Sequence, residues 1–455
     1  MYQHDYHIHF VGIGGIGMSG IAELLLNLGY TISGSDLKLS HITDRLKEKG
    51  AVIYKGHAKN NIQEINVVVT SSAISPQNPE VIRAKELGCP IIPRAEMLAE
   101  LMRIKYAIAV AGAHGKTSTT AMISQILNTA GLDPTVIIGG LLQGPDTNAL
   151  HGSGEFIVAE ADESDGSFLK YAPAIAAVTN IDLEHLDFYK DIEEIKDKFV
   201  QFINSVPFYG LAILCLDNPH IQDILPRITA RYTTYGMTAQ SALKAGNIRF
   251  ENGKSVFNVF KAEQDLGPIM LNIGGQHNIL NAMAGIAVGL ELNIPYDTIK
   301  KALEEIKGVK RRLEIKGEAK GITVMDDYGH HPTEIKATLT AVRESYPDKR
   351  LIVVFQPHRY TRTQALFQKF TRAFYQSHVL IVLPIYAASE APIDGVDSEK
   401  LVAGITAHGH KDACFAPDFT QALSIITHKA KPGDMVLTLG AGDVYILGEK
   451  LMEIL

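Results

Sequence analysis

Short apolar runs alternate with stretches of helical periodicity along most of this 455-residue chain. A run of about four to eight apolar residues bounded by turn residues predicts a buried strand, and apolar residues spaced by three and four predict a helix. Strands that alternate with helices form largely parallel sheets. The sequence therefore predicts an α/β fold with flanking helices. The clearest predicted strands are 7–11, 31–34, 67–71, 106–111, 156–159, 175–179, 322–325, 351–355, 379–383 and 435–439.

The predicted elements fall into three blocks, and a chain of this length exceeds one typical domain. We predict a Rossmann-like domain over residues 1–104 and a central domain with a phosphate loop over residues 105–311. A second Rossmann-like domain follows over residues 312–455. Each domain is expected to contain its own largely parallel sheet.

The central block opens with a strand-like run that ends in the glycine turn 112–117, Gly-Ala-His-Gly-Lys-Thr, and a helical pattern follows from Ser118. Glycines in such a turn let backbone amides approach phosphate oxygens, and the helix N-terminus favours an anion. Lys116 would reach the β- and γ-phosphates, and the Thr117 hydroxyl would hold Mg²⁺. We expect Lys116 to face solvent when no nucleotide is bound. The alternative is an ordinary glycine turn with a surface lysine.

A second glycine pattern, Gly-Ile-Gly-Gly-Ile-Gly, occupies residues 12–17 directly after the first predicted strand. Asp36 follows the next predicted strand, where an acid can bind a ribose. Taken alone, this pattern predicts a dinucleotide site with NAD as the first candidate. Glycines that serve only a tight turn are the alternative.

Two polar stretches follow predicted strands of the central block. Residues 160–165 read Glu-Ala-Asp-Glu-Ser-Asp, and residues 180–187 read Asn-Ile-Asp-Leu-Glu-His-Leu-Asp. Carboxylates at the carboxyl end of a buried strand suit a Mg²⁺–ATP complex. A solvated acidic turn, and a His185 that binds no metal, are the alternatives.

Polar stretches also follow predicted strands of the third block, at 326–334, 356–363 and 440–443. In open α/β sheets such strand ends line ligand crevices. Arg359 and Arg362 are three residues apart, so they converge on one side if the run opens a helix. Cations are unfavourable at a helix N-terminus unless an anion compensates, which favours an anionic ligand over two surface arginines.

Composition narrows the classes of protein. The net charge of −7 argues against a nucleic-acid-binding surface. No apolar run is long enough for a membrane span, and the first residues lack the pattern of a secretory signal. Cys89, Cys215 and Cys414 form neither a disulfide framework nor a zinc motif, which favours a cytoplasmic protein. The oligomeric state is left open.

Taken together, these motifs resemble the Mur ligase family of ATP-dependent amide-bond ligases, in order and over the whole chain. Residues 112–117 resemble the family's ATP loop, and residues 160–165 and 180–185 resemble its metal-binding stretches. Residues 326–334 and 358–363 resemble the signatures of those members that use L-alanine. Several other members carry a carbamylated lysine where Phe199 and Val200 stand here, so Lys196 and Lys198 are left out of the site.

The resemblance implies three substrates: ATP, UDP-N-acetylmuramate and L-alanine. A carboxylate of UDP-N-acetylmuramate would take the γ-phosphoryl group of ATP, and the amine of L-alanine would attack the resulting acyl phosphate. The resemblance further implies Mg²⁺, with Mn²⁺ tolerated, and a role in peptidoglycan precursor synthesis. It also changes the interpretation of the first domain, which would bind the UDP group rather than NAD.

The motifs and the resemblance together imply four sets of site residues. The catalytic residues are Lys116, His330, Arg359 and Arg362. The ATP-binding residues are Gly112, Ala113, His114, Gly115, Lys116, Thr117, Ser118, His277, Asn278, Asn281 and Arg312. The UDP-sugar-binding residues are Gly14, Gly15, Ile16, Gly17, Met18, Ser19, Asp36, Ser72 and Arg94. The metal ligands are Thr117, Glu160 and His185.

Two other classes of protein share part of this pattern. An NAD-dependent dehydrogenase would explain residues 12–17 but not the phosphate loop, and NADH fluorescence during titration would identify it. A nucleotide-gated switch protein would show slow ATPase activity that UDP-sugar and amino acid leave unchanged.

Overall fold

The structure is a computed structural model that describes residues 6–71, 73–139, 149–185, 188–306 and 308–455. The chain divides into two compact units. Unit 1 comprises Met1–Lys244 and Asn281–Leu303, and unit 2 comprises Ala245–Leu280 and Glu304–Leu455.

The first sheet of unit 1 is parallel, with its strands in the order β3-β2-β1-β4-β5. Because β1 pairs with both β2 and β4, the strand order reverses there, and a ligand crevice is expected outside the carboxyl end of β1. The strands are β1 (His7–Val11), β2 (Thr31–Asp36), β3 (Val52–Lys55), β4 (Val67–Thr70) and β5 (Ile91–Pro93). The helices are α1 (Ile16–Asn27), α2 (His41–Glu48), α3 (Pro79–Glu86) and α4 (Arg94–Met102).

The second sheet of unit 1 has the order β12-β11-β10-β6-β9-β7-β8, and only the β7–β8 pair is antiparallel among its described residues. The strand β6 lies between β10 and β9, so the stretches that follow these three strands meet at one edge. The strands are β6 (Tyr106–Ala111), β7 (Thr135–Ile137), β8 (Ala149–Leu150), β9 (Phe156–Ala161), β10 (Ile175–Val178), β11 (Leu211–Cys215) and β12 (Tyr232–Gly236). The helices are α5 (Lys116–Thr129), α6 (Ile192–Asn204) and α7 (Pro219–Ile224).

Three consecutive strands lie side by side in unit 2, where β14 pairs with antiparallel β15 on one side and with β13 on the other. They are β13 (Leu243–Glu251), β14 (Lys254–Lys261) and β15 (Gln264–Leu271). The helices α8 (Gln276–Glu291) and α9 (Tyr296–Glu305) follow in the chain, and the segment Asn281–Leu303, which contains most of both helices, belongs to unit 1.

The main sheet of unit 2 has the order β16-β17-β21-β18-β19-β20 and is parallel apart from the β16–β17 pair. Its strands are β16 (Glu314–Ala319), β17 (Ile322–Asp327), β18 (Leu351–Phe355), β19 (Val379–Val382), β20 (Ala413–Phe415) and β21 (Met435–Leu439). The helices are α10 (Pro332–Ser345), α11 (Tyr360–Ala365), α12 (Phe367–Phe370), α13 (Ser398–Ala407), α14 (Phe419–Lys429) and α15 (Tyr445–Ile454).

The strand β18 shows why this sheet needs helices on both faces. Val353 and Phe355 pack into one hydrophobic cluster, and Ile352 and Val354 pack into another. Since successive side chains point to opposite faces, a strand of five apolar residues must be covered on both sides. The predicted α/β fold is confirmed, whereas the domain boundaries at 104/105 and 311/312 stay a prediction. None of the described helices combines the length and the apolar character that crossing a bilayer requires.

Candidate active site

The predicted phosphate loop lies between β6 and α5. Gly112 and Gly115 have φ angles of 136° and 83°, which side chains disfavour. A Cβ atom on Gly112 would collide with Oγ1 of Thr179, and one on Gly115 would collide with Oδ1 of Asn281. Both positions therefore require glycine for conformation and for space. Asn281, predicted to bind ATP, lies directly against this loop.

Residues after β10 hold the loop from the other side. The side chain of Asn180 accepts a hydrogen bond from the His114 amide at 2.9 Å and donates one to the His114 carbonyl at 2.9 Å. Oγ1 of Thr179 donates to the same carbonyl at 2.6 Å. Nε2 of His114 lies 3.0 Å from Oδ2 of Asp182. Residues 180–185 resemble a metal-binding stretch in the sequence, and their support of the loop was not predicted.

The expectation that Lys116 faces solvent is wrong. Its Nζ donates to both carboxylate oxygens of Glu163, at 2.9 and 2.8 Å, and to the Gly112 carbonyl at 2.6 Å. The side chain is only 16% exposed. The reason is the register of β6 and β9, which pairs Val110 with Glu160 and brings the acidic stretch beside the loop.

The charges of this pair stabilise each other. Burial alone would lower the pKa of Lys116, but the charge of Glu163 raises it well above its ordinary value. Burial alone would raise the pKa of Glu163, but Lys116 lowers it. Both groups are therefore charged at neutral pH.

A cluster suited to a divalent cation lies next to this pair. Glu163, Glu184 and His185 each offer one ligand atom, and these atoms all lie within 4.8 Å of one another. Nε2 of His185 is 3.7 Å from Oε1 of Glu163 and 3.6 Å from Oε2 of Glu184. Burial lowers the pKa of His185, but the two carboxylates outweigh it and raise the pKa. Two carboxylates and an imidazole fit Mg²⁺ or the softer Mn²⁺.

The other predicted metal ligands lie close to the loop but outside this cluster. Oε1 of Glu160 accepts a hydrogen bond from the Gly139 amide at 2.7 Å. Thr117 is buried in the first turn of α5. Lys196, left out of the site, bonds through Nζ to Glu193 and Asp223 at 2.8 and 2.7 Å.

Those predicted UDP-sugar residues that the structure describes gather at the N-terminus of α1, whose N-cap is Gly15. The amide of Gly14 donates to Oδ2 of Asp36 at 2.9 Å. A Cβ atom on Gly17 would lie 2.7 Å from Nη1 of Arg94, so this guanidinium lies over the helix start. Nη2 of Arg94 is 3.6 Å from Oδ2 of Asp162. Met18 and Ser19 are buried, and Ser72 and the Ile16 side chain lie outside the described residues.

Two polar stretches of unit 2 meet at the ends of β17 and β18. The ring of His330 lies 5.8 Å from the ring of His358 and 5.5 Å from the ring of Tyr328. Nη1 of Arg362 is 3.3 Å from Nδ1 of His358. The run does open a helix, α11, with Arg359 at its N-cap. His330 and Arg362 are thus brought together by His358, which was not among the predicted site residues.

Among the predicted ATP-binding residues of unit 2, Arg312 lies against Tyr328. The guanidinium of Arg312 stacks 5.1 Å from its ring, and Nη1 of Arg312 is 3.7 Å from Oε1 of Glu334. Burial and the nearby Arg312 charge lower the pKa of His277 to about 4. Asn278 is buried, and its Nδ2 donates to the Gly274 carbonyl at 2.9 Å.

We expect the variant His330→Asn to lose less stability than the parent protein when the pH falls from 7 to 5. Burial, the largest cause, lowers the pKa of His330 to about 3, whereas an unfolded histidine titrates near 6.5. Below pH 6.5 the unfolded state binds a proton that folded His330 does not bind, so stability falls as pH falls. Between pH 7 and pH 5 His330 accounts for at most about 2 kcal/mol of the decrease in the free energy of unfolding.

The measurement is the change in Tm between pH 7 and pH 5. It should be smaller in His330→Asn than in the parent, whereas His428→Asn, at an exposed position, should match the parent. Equal changes in Tm for all three proteins would contradict a neutral, buried His330.

Comparisons with known proteins cover the chain from end to end. Three family models match in order: the Mur ligase family catalytic domain at residues 7–106, the Mur ligase middle domain at 110–289, and the Mur ligase glutamate ligase domain at 311–442. Proteins from Desulforapulum autotrophicum and Desulfatibacillum aliphaticivorans, both named UDP-N-acetylmuramate–L-alanine ligase, are 70% and 59% identical to it. The alignments cover 100% of this chain and 100% of the first relative, and 99% of this chain and 99% of the second.

Solved structures agree with these matches. The UDP-N-acetylmuramate–alanine ligase of Thermotoga maritima is similar, with a TM-score of 0.83, 27% identity and 98% coverage of both chains. The murein peptide ligase of Psychrobacter arcticus has a TM-score of 0.71 at 24% identity, again with 98% coverage of both chains, and shares the fold.

Proposed function

The chain belongs to the Mur ligase family, and from this premise we propose how its residues join L-alanine to UDP-N-acetylmuramate at the expense of ATP. The observation that carries this activity is the 70% identity, over the full length of both chains, with a ligase of that name. The product, UDP-N-acetylmuramoyl-L-alanine, is a precursor of peptidoglycan. The three free cysteines favour a reducing, cytoplasmic location.

The phosphate loop binds the phosphates of ATP through its backbone amides and Lys116. In the described structure Nζ of Lys116 is held by Glu163, so a bound γ-phosphate would replace or share that carboxylate. A lysine fixed beside the transferring phosphoryl group stabilises the charge that develops in the transition state. Asn281 positions the loop from α8, and His277, Asn278 and Arg312 would bind the adenosine end.

A divalent cation would be held by Thr117, Glu160 and His185, with Glu163 and Glu184 at hand from the observed cluster. When bound, the cation would neutralise charge on the phosphates. Mg²⁺ is the expected ion, and the imidazole of His185 makes Mn²⁺ a workable replacement.

The UDP-sugar would bind at the N-terminus of α1. Residues 14–19 at this helix start and the guanidinium of Arg94 are suited to a diphosphate, and the Gly14 amide would exchange its bond to Asp36 for one to a phosphate oxygen. Asp36 and Ser72 would complete this set on the nucleoside side. The same amides would accept any pyrophosphate, so the choice of UDP over NAD is supported by family membership.

L-Alanine would be held by Arg359 and Arg362, whose guanidinium groups offer paired donors for its carboxylate. The sugar carboxylate takes the γ-phosphoryl group, and ADP leaves. The amine nitrogen then attacks the acyl carbon, loses a proton, and phosphate leaves. Because His330 has a pKa of about 3, its neutral ring is suited to orienting the amine rather than to carrying a positive charge.

The route through an acyl phosphate is tested by oxygen transfer. UDP-N-acetylmuramate with an ¹⁸O-labelled carboxylate is incubated with ATP, Mg²⁺ and L-alanine, and the products are analysed by mass spectrometry. We expect one labelled oxygen in the released phosphate and the other in the new amide. Amide product together with unlabelled phosphate would exclude phosphorylation of the carboxylate.

A further inference from the structure

Arg359 has a backbone conformation that few residues with a side chain adopt. Its φ and ψ are 70° and 138°, and it stands at the N-cap of α11. Such a conformation persists only where the surrounding structure holds it. An arginine at this position also has no acceptor for the first amides of the helix.

The backbone on either side of Arg359 is held by several contacts. Its amide donates to the Tyr386 carbonyl at 2.9 Å, and the Tyr386 amide donates to Pro357 at 2.8 Å. The rings of His358 and Tyr386 are stacked, with centroids 5.5 Å apart and planes 9° apart. Oγ1 of Thr363 donates to the Arg359 carbonyl at 2.8 Å.

Glu390 supplies the missing helix cap from another segment of the chain. Its Oε2 accepts a hydrogen bond from the Thr361 amide at 3.1 Å, and its Oε1 accepts one from Oγ1 of Thr361 at 2.7 Å. Burial would raise the pKa of Glu390, but these bonds from Thr361 lower it. A carboxylate at a helix start is favourable because unpaired amides and the helix dipole both attract it.

The same carboxylate lies beside the Arg359 side chain. Oε1 of Glu390 is 3.9 Å from Nη1 of Arg359, and the Glu390 side chain is 21% exposed. Glu390 ends a turn in which Ala388 and Ser389 also have positive φ angles, 48° and 72°. Its amide donates to the Ala387 carbonyl at 2.9 Å. This strained turn holds the carboxylate against both the backbone after Arg359 and its guanidinium.

We propose that Glu390 is a positioning residue for Arg359, and through Arg359 for the carboxylate of the amino-acid substrate. This inference rests on the proposed role of Arg359 in binding L-alanine. Glu390 fixes the backbone from which the arginine side chain leaves and sets its charge environment. A displaced guanidinium fork would lose one of its two parallel hydrogen bonds to a carboxylate.

The test compares steady-state kinetics of Glu390→Ala with those of the full-length parent. We expect KM for L-alanine to rise about tenfold to a hundredfold, with KM for ATP and for UDP-N-acetylmuramate changed less than about twofold. Glu390→Gln keeps one acceptor for Thr361 but loses the charge. Its KM for L-alanine should therefore lie between that of the parent and that of Glu390→Ala. Glu453→Ala, at an exposed position of α15, is the control and should match the parent.

A double variant separates positioning from a general effect on the fold. If Glu390 acts through Arg359, then Glu390→Ala with Arg359→Lys should be little worse than Arg359→Lys alone. Additive losses in the double variant, or equal rises in all three KM values, would overturn the proposal. If Glu390→Ala does not fold, Thr361→Val tests the proposal instead, because it removes only the hydroxyl donor to Glu390. The proposal then requires that KM for L-alanine rises in Thr361→Val.

Failure of the inference differs from failure of the proposed function. A parent enzyme that forms no amide from L-alanine would contradict the function itself. A parent that forms the amide, with Arg359→Lys impaired and Glu390→Ala indistinguishable from Glu453→Ala, would overturn only the role of Glu390.

Discussion

Lys116→Ala is expected to lower kcat by about a thousandfold or more, because the lysine stabilises charge on the transferring phosphoryl group. The variant should also have a lower Tm, since Glu163 would keep a buried charge without its lysine partner at 2.8 Å. Removing one partner of a buried ion pair costs about 3–5 kcal/mol, and part of this loss is recovered where water enters. Phosphate release and thermal unfolding measure the two effects separately.

The control is the double variant Lys116→Ala with Glu163→Gln, which removes both charges of the pair. Its Tm should return towards that of the parent, while its kcat should stay as low as in Lys116→Ala. Recovery of turnover together with Tm would show that Lys116 is structural, and the assignment of the phosphate loop would be wrong.

Changing the proposed metal ligands should alter the dependence of the reaction on metal. Glu160→Gln is expected to raise the Mg²⁺ concentration for half-maximal activity about tenfold or more, because a charged oxygen ligand is lost. His185→Ala should weaken activation by Mn²⁺ more than activation by Mg²⁺, since Mn²⁺ has the higher affinity for nitrogen. Activity is measured while each ion is titrated.

Asp165→Asn is the matched control for both variants. Asp165 lies in the same acidic stretch, is exposed, and accepts a hydrogen bond from the Ser167 amide at 3.0 Å. Its metal dependence should equal that of the parent. If the metal dependence of Glu160→Gln and of His185→Ala also equals that of the parent, the acidic stretch is a solvated turn rather than a metal site.

Much of the fold was predictable because it depends on local patterns. The strands β1, β6, β18 and β21 have the predicted bounds, since each is an apolar run ended by glycine, glutamine or a polar stretch. The strands β13, β14 and β15 were not predicted, although Ser255, Phe257 and Val259 of β14 are buried and alternate with less buried residues. A half-exposed antiparallel strand carries a weaker apolar signal than a buried parallel one.

The site was predictable as a set of stretches but not as a set of contacts. The loop 112–117 and the acidic stretch 160–165 are readable as motifs, whereas the bond between Lys116 and Glu163 depends on the register of β6 and β9. Glu163 lies in the acidic stretch 160–165 and Glu184 in the polar stretch 180–187. Their residue type made them possible metal ligands, but nothing in the sequence favoured them over Glu160.

The positions of the C-terminal arginines show the same limit. The sequence predicts that an anion must compensate a cation at the start of this helix, and that a ligand supplies this anion. In the structure Glu390 supplies that charge from a turn 31 residues away from Arg359. The helix start by itself therefore favours an anionic ligand less strongly than the sequence suggested. The proposed role of Arg359 depends instead on its neighbour in the chain, His358, which contacts both His330 and Arg362.

The most direct test of the central claim is phosphate release with ATP and Mg²⁺ while each other substrate is omitted in turn. The account predicts that release is sustained only when UDP-N-acetylmuramate and L-alanine are both present. Phosphate and UDP-N-acetylmuramoyl-L-alanine should then form in equal amounts. Sustained release that neither substrate changes, or release without the amide product, would contradict an ATP-dependent ligase.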